Sequence, residues 1–158
     1  MNDVPEAKSQ GSAAAQATGD LWRRGEACLE QSRADLKTAR RLAKEGRHLD
    51  GAYLCFQAAV NALTSVCFFN GVARVPNHSA LALLATCTEA DPLFAAPEEA
   101  CAELEAVQGL NPYGTGRDEA GEKRLARACQ AHGRAVVKAA ELYFKKINKK
   151  NRARLQQD

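Results

Sequence analysis

The sequence predicts an all-α protein, folded as an antiparallel up-and-down bundle of about five helices. Three observations favour this fold class. Apolar residues recur at helical spacing in several long segments, no segment alternates apolar and polar residues as a strand does, and capping or turn residues separate the segments. Aromatic residues make up only 6% of the chain, so we expect a core built mainly from Leu, Val, Ala and Cys.

The composition is that of a soluble globular protein. Hydrophobic residues make up 46% and charged residues 26% of the 158 residues, and the formal net charge is +3. This net charge is too small to indicate a nucleic-acid-binding protein by itself. We predict a disordered N-terminal tail (1–18), a helical bundle (19–148) and a basic C-terminal tail (149–158).

The C-terminal end of the chain is strongly basic. From Phe144 onward it holds six Lys and Arg residues against one Asp. These cations could hold RNA or an acidic partner. Equally, they suit the negative end of a helix dipole and aid solubility. No interleaved aromatic residues follow Phe144, so sequence-specific reading of RNA is not indicated.

Two helices are predicted in the first half of the bundle. Asp20 can cap a long amphipathic helix that ends at Gly46, and its apolar positions recur every seven residues. Asp50 can cap a second helix over residues 51–69, which an Asn-Gly pair ends. Residues 51–73 contain no charged side chain and could span a bilayer, but polar residues interrupt them repeatedly. A helix buried by protein neighbours is therefore favoured.

Three further helices complete the predicted bundle. Pro76-Asn77 begins a third helix, which ends before Asp91. Pro97, followed by two Glu residues, begins a fourth helix, because proline suits the first turn and acids favour its positive end. After the loop NPYGTG, Asp118 caps a long last helix. The apolar positions of that helix are Leu125, Cys129, Val136, Ala140, Tyr143 and Ile147.

The cysteines indicate a reducing compartment. All six are scattered along the chain, and no two stand at the CxxC spacing of a metal or redox site. Most stand among Ala, Leu and Phe, as buried free thiols do. The N-terminus lacks the basic start and apolar run of a secretory signal. We therefore expect reduced thiols in the cytoplasm, without a bound metal or cofactor.

The order and spacing of these elements resemble the HEPN domain, an all-helical module associated with nucleotide binding. The resemblance covers roughly residues 20–147. It is carried by a long first helix ending in a glycine, a helix that opens with GAYLCFQAAVNAL and closes with FFNG, the helix start PNHSALALL, a loop with Tyr113 and Arg117, and a long terminal helix.

The resemblance implies a bundle of four or five helices that usually dimerises. Many HEPN domains are encoded beside a minimal nucleotidyltransferase, as toxin–antitoxin or related pairs. Some are metal-independent ribonucleases in which an Arg-x4-6-His motif completes a composite site across the dimer. Others lack this motif and serve as binding or scaffolding modules.

Arg127 and His132 match that motif and are the candidate catalytic residues. The family implies that the histidine handles a proton of the reaction and that the arginine stabilises charge on the phosphate, roles that suit both side chains. However, positions five apart diverge by about 140° around a helix. His132 also falls in the apolar series between Cys129 and Val136, and Ala128 follows Arg127 where active members usually have a polar residue. A core or interface histidine is therefore favoured.

The loop around Tyr113 is the candidate ligand site. Gly114 would let the loop backbone approach the phosphate of a nucleotide, and Arg117 would supply positive charge. The Tyr113 ring offers a face on which the nucleotide can stack. Alternatively, Tyr113 closes the end of the bundle and Arg117 faces solvent. His78 matches the family position that opens the third helix, where it can cap or pack. His48, in the link between the first two helices, is expected to be solvated.

These observations favour a non-catalytic HEPN-like module that binds a nucleotide or a protein. It would form a homodimer in the cytoplasm, would not bind a membrane, and would pair with a nucleotidyltransferase. The alternative is a toxin-like, metal-independent ribonuclease that uses Arg127 and His132 on RNA, which a helix break near Gly133 would favour. A third interpretation is an adaptor that binds another helix through an exposed apolar stripe.

Overall fold

The structure, a computed structural model, describes residues 6–75, 79–110 and 116–157; of residues 6–17 it describes the backbone alone. Within these ranges the protein is entirely helical, with no strand, and the helices pack against each other. The predicted all-α fold is confirmed. The helices are α1 (Glu6–Lys44), α2 (His48–Phe69), α3 (Ala80–Ala90), a short 3₁₀ helix (Pro92–Ala95), α4 (Glu98–Gln108) and α5 (Glu119–Gln157).

α2 is the central helix of the bundle. It contacts α1, α3, α4 and α5, and Asp50 is its only acidic or basic residue apart from His48 at its start. By length and composition α2 could cross a bilayer, yet 67% of its apolar window is buried inside the protein. Each fully buried Leu, Val or Phe side chain contributes about 1.5–3 kcal/mol to folding. This burial confirms the predicted core helix.

A glycine lies where α5 packs against α1 and α2. A Cβ atom added to Gly133 would lie 2.9 Å from Cδ2 of Leu36 on α1 and 3.3 Å from the carbonyl oxygen of Cys55 on α2. Atoms in a close-packed interior do not approach so closely, so a side chain at this position would force the end of Leu36 aside and crowd the backbone at Cys55. Of the predicted apolar positions of α5, Cys129, Val136, Ala140 and Tyr143 are buried, and Leu125 and Ile147 are half-buried.

Aromatic side chains join α1, α2 and α5 away from that glycine. Trp22, Phe69 and Phe144 form a cluster with ring centroids 4.8 to 5.7 Å apart. The Tyr143 hydroxyl donates a hydrogen bond to Oδ1 of Asn70 at 2.7 Å, which ties α5 to the end of α2. Aromatic pairs at these distances add about 0.5–1.5 kcal/mol beyond the area that they bury.

The turn between α1 and α2 is tight. Gly46 has a φ angle of +81°, which glycine adopts without strain, and the Arg47 N–H donates to the Leu42 carbonyl oxygen at 2.9 Å. Because Gly46 reverses the chain at once, α2 begins at His48. The prediction that Asp50 caps this helix is therefore wrong: Asp50 lies in the first turn and accepts a hydrogen bond from Arg47 Nε at 2.9 Å.

Side chains cap the starts of α3 and α5. The Ser79 hydroxyl accepts a hydrogen bond from the Ala82 N–H at 3.2 Å and caps α3. The predicted start of this helix, at Pro76-Asn77, lies outside the described residues. The Asp118 carboxylate accepts a hydrogen bond from the Gly121 N–H at 2.7 Å, which confirms the predicted cap of α5.

The first and last helices extend into the two segments that are predicted to be tails. α1 begins at Glu6, inside the segment 1–18 that is predicted to be a disordered tail. α5 continues through residues 149–157, most of the predicted C-terminal tail. Alanine and glutamine are frequent near the N-terminus and are good helix formers, so a helix can extend into a segment with few bulky side chains to bury.

Replacing Gly133 by valine is expected to lower the free energy of unfolding by about 2 kcal/mol, because it overpacks a close contact. Ala131→Val on the exposed face of the same helix is the matched control, and it should cost less than about 1 kcal/mol, the difference in helix propensity. Denaturant unfolding followed by circular dichroism measures both. Equal losses in the two variants would contradict the close packing at position 133.

Candidate anion-binding cleft

A basic cleft opens where the C-terminal end of α1 lies beside the N-terminal half of α5. It is a cavity of about 470 Å³, and the turn that leads into α2 forms part of its wall. This is within the range of about 300–1,000 Å³ that is usual for small-molecule sites. The basic cleft is lined by Arg40, Ala43, Lys44, Gly46, His48, Glu119, Lys123, Arg127 and Gln130.

Four cations line the basic cleft against a single carboxylate. Arg40 and Lys44 stand four residues apart on α1, and Lys123 and Arg127 do so on α5. Residues at this spacing share a helix face, and like charges there repel. In the described part of the chain, none of the four forms an ion pair or a side-chain hydrogen bond. A bound anion would offset this repulsion.

His48 is buried in the wall of the cleft. Only 6% of the residue is exposed, and within the described residues its Nδ1 atom has no hydrogen-bond partner. An unpaired buried polar group costs about 1–3 kcal/mol. The expectation that His48 is solvated is wrong, because the tight turn at Gly46 brings the start of α2 back against α1.

The structure does not bring the two candidate catalytic residues together within one chain. Arg127 is exposed in the basic cleft. The His132 side chain faces α4, where its Nε2 atom lies 4.0 Å from Oε2 of Glu103. α5 is one uninterrupted helix from Glu119 to Gln157, without a break near Gly133. The separation of about 140° that continuous helical geometry imposes is therefore retained.

His132 is half-buried at the edge of the bundle rather than in the core. Its side chain is 28% exposed and borders α4. The core register of α5 is held by Cys129, Gly133 and Val136, which are all buried. Position 132 lies one residue beside that register, so the apolar series overstated its burial.

The predicted ligand loop is described only at its end. Arg117 is exposed and, with Arg124, borders a wide, open depression at the start of α5. Tyr113, Gly114 and His78 lie outside the described residues. The assignment of these four residues to a ligand site therefore stays a prediction.

Three of the buried cysteines have thiols of low reactivity. Burial raises the pKa of the Cys55 and Cys101 thiols to about 12 and that of Cys129 to about 11. Such thiols stay protonated at neutral pH, and the protonated form is a poor nucleophile and metal ligand. Within the described ranges, no group of three or more His, Cys, Asp or Glu residues is placed to hold a metal ion.

Of the side chains that line the basic cleft, only Arg127 was predicted from the sequence to be a site residue, whereas His48 was expected to be solvated. The sequence did contain a signal, since Arg40 and Lys44 on one helix and Lys123 and Arg127 on another form repeated basic pairs four residues apart. The pattern becomes a site only when α1 and α5 lie side by side in the observed register. That register depends on packing rather than on local sequence.

Comparison with known proteins gives the family. The sequence matches the HEPN domain over residues 26–143, a range that extends from α1 into α5 and includes every residue of the basic cleft. Neither a curated protein nor a solved structure matches the chain significantly. With most of its length matched by that family, the chain belongs to the HEPN domain family.

Proposed function

We propose that this HEPN domain is a non-catalytic module that binds the phosphate group of a nucleotide in the basic cleft. The observation that carries the proposal is the buried His48, whose Nδ1 lacks a hydrogen-bond partner among the described residues, beside four cations without ion-pair partners. Buried polar groups are seldom left unpaired, and clustered like charges repel. Both features favour an anionic ligand.

The side chains of the cleft suit a phosphate in different ways. The guanidinium groups of Arg40 and Arg127 can each donate two parallel hydrogen bonds to phosphate oxygens. Lys44 and Lys123 add compact positive charge. The His48 imidazole, turned toward the ligand, can donate a ring N–H. Together they would hold one phosphate group by charge and by directed hydrogen bonds.

The family also supports a partner for the domain. HEPN domains commonly pair with nucleotidyltransferases. We therefore propose a homodimer in the cytoplasm that works with a separately encoded nucleotidyltransferase, as in toxin–antitoxin pairs. Family membership is the support for these assignments.

A metal-independent ribonuclease is the alternative function within the family. The exposure of Arg127 in the basic cleft favours it, because an accessible arginine can contact a phosphate of RNA. His132 opposes it within one chain, since this residue lies on the α4 side of α5. Catalysis would therefore require the histidine to come from a second protomer.

Arg127→Gln and Arg40→Gln are each expected to weaken the binding of a nucleoside monophosphate at least about tenfold, because hydrogen bonds to charged groups contribute about 1.5–3 kcal/mol. Arg124→Gln and Arg41→Gln, which remove the same charge from the same helices outside the cleft, should leave affinity nearly unchanged. Isothermal titration calorimetry measures all four. The nucleoside without phosphate should not bind. Equal effects of cleft and control variants would contradict the proposed site.

His48→Leu is expected to weaken nucleotide binding at least about tenfold while keeping or raising the free energy of unfolding. The reason is that leucine removes an unpaired buried polar atom, which costs about 1–3 kcal/mol in the wild type. Denaturant unfolding and calorimetry on the same variant separate the two effects. A large loss of stability with unchanged affinity would show that His48 is a packing residue and not part of a ligand site.

The purified protein is expected not to cleave RNA in the presence of a chelator. His132→Ala should lower the free energy of unfolding by about 1 kcal/mol, because the residue is half-buried, and should leave nucleotide affinity unchanged. Gel analysis of RNA incubated with wild type, Arg127→Ala and His132→Ala tests this. Cleavage by the wild type that disappears in both well-folded variants would establish the ribonuclease instead.

A further inference from the structure

A second cationic surface continues from the basic cleft along α1 and α5. The two helices border a groove of about 460 Å³, which shares Arg40 with the basic cleft. At its far end an ion pair joins the helices, with Arg33 Nε 2.8 Å from Oε1 of Glu141. This surface, the α1–α5 groove, is lined by Arg33, Leu36, Lys37, Arg40, Arg134, Val137, Lys138 and Glu141.

The groove has an apolar floor between two cationic rims. Leu36 is half-buried and Val137 is buried, so aliphatic carbon forms the floor. The rims carry Lys37 and Arg40 on α1 and Arg134 and Lys138 on α5, all exposed. Throughout the described structure these four cations have no ion pair or side-chain hydrogen bond. None of the described residues that line the groove is aromatic.

Farther toward its N-terminus, the same face of α1 carries acids instead of bases. Glu26 and Glu30 precede Arg33 by seven and three residues on that face. Within the groove, the face carries Lys37 and Arg40 instead. The cationic rim is therefore a local feature of the groove and not of the whole helix.

We propose that the α1–α5 groove binds an acidic amphipathic helix of a partner protein. Apolar side chains of that helix would cover the exposed part of Leu36 between the two rims. Carboxylates on its two flanks would pair with Lys37 and Arg40 on one rim and with the α5 cations on the other. A helix of about three turns, roughly 16 Å long, covers the groove.

The side chains and the charge of the groove argue against two other occupants. A nucleic-acid strand would find the cations, but among the described residues of the groove it would find no aromatic side chain for its bases to stack on. A second copy of this chain, placed symmetrically on the same surface, would bring the same cations face to face. Charge repulsion therefore disfavours a homodimer built on this surface.

The groove and the nucleotide site can be tested separately. Lys37, Arg134 and Lys138 line the groove and lie outside the basic cleft. Variants of these three residues should therefore affect the partner helix and leave nucleotide binding largely in place. The inference does not depend on the proposed nucleotide function.

The experiment uses a synthetic helical peptide of about 14 residues, about 21 Å long, with leucines at helical spacing and glutamates on both flanks. Fluorescence polarisation is expected to show binding to the full chain. The triple variant Lys37→Glu, Arg134→Glu, Lys138→Glu should weaken this binding at least about tenfold. A matched peptide with lysine in place of glutamate should bind the triple variant better than the wild type. This charge exchange is a result that misfolding cannot produce.

Three controls decide between the proposal and its rivals. Arg41→Glu, Lys150→Glu, Arg154→Glu reverses the same charge elsewhere on α1 and α5 and should leave peptide binding nearly unchanged. A scrambled peptide of identical composition should bind at least about tenfold more weakly. The proposal is overturned if the amphipathic peptide does not bind, or if the scrambled peptide binds equally well. It is also overturned if single-stranded RNA binds more tightly than the peptide through the same three cations.

Discussion

The contact at Gly133 is the constraint on which the rest of the arrangement depends. Without a side chain there, α5 lies close to Leu36 of α1 and to the backbone of α2 at Cys55. This contact sets the rotation of α5 about its axis. Arg127 consequently faces the α1 side of the bundle, and His132 faces Glu103 on α4. One close contact in the core thereby turns Arg127 toward the basic cleft, while the unbroken helix keeps the Arg-x4-His pair apart.

A second backbone feature completes the cleft. Gly46 reverses the chain within a few residues, and His48 is thereby packed against the end of α1, with a ring nitrogen that has no partner among the described residues. Neither this burial nor the repulsion among the neighbouring cations stabilises the empty fold. A phosphate would offset both. Features that destabilise the protein without its ligand are expected at functional sites, because there the side chains are selected for binding and not for folding.

Local patterns predicted the fold class, the buried central helix and the Asp118 cap, because each depends on residues near one another in sequence. Asp50 was misplaced as a cap since the tight turn starts α2 two residues earlier. The cleft could not be predicted in the same way. Arg40 and Arg127 meet only after α1 and α5 adopt one register, and that register follows from packing between distant segments. His132 shows the same limit, because a shift of one residue moves it from the core to the edge.

The most direct test of the nucleotide site is nuclear magnetic resonance of the imidazole groups during titration with a nucleoside monophosphate. The chain has three histidines, so assignment is tractable. The ring signals of His48 are expected to shift in proportion to bound nucleotide, while those of His132 stay in place. Signals of His132 that shift while His48 stays unchanged would move the site to the α4 side of α5. No shift at either residue at saturating nucleotide would contradict the anion-binding cleft.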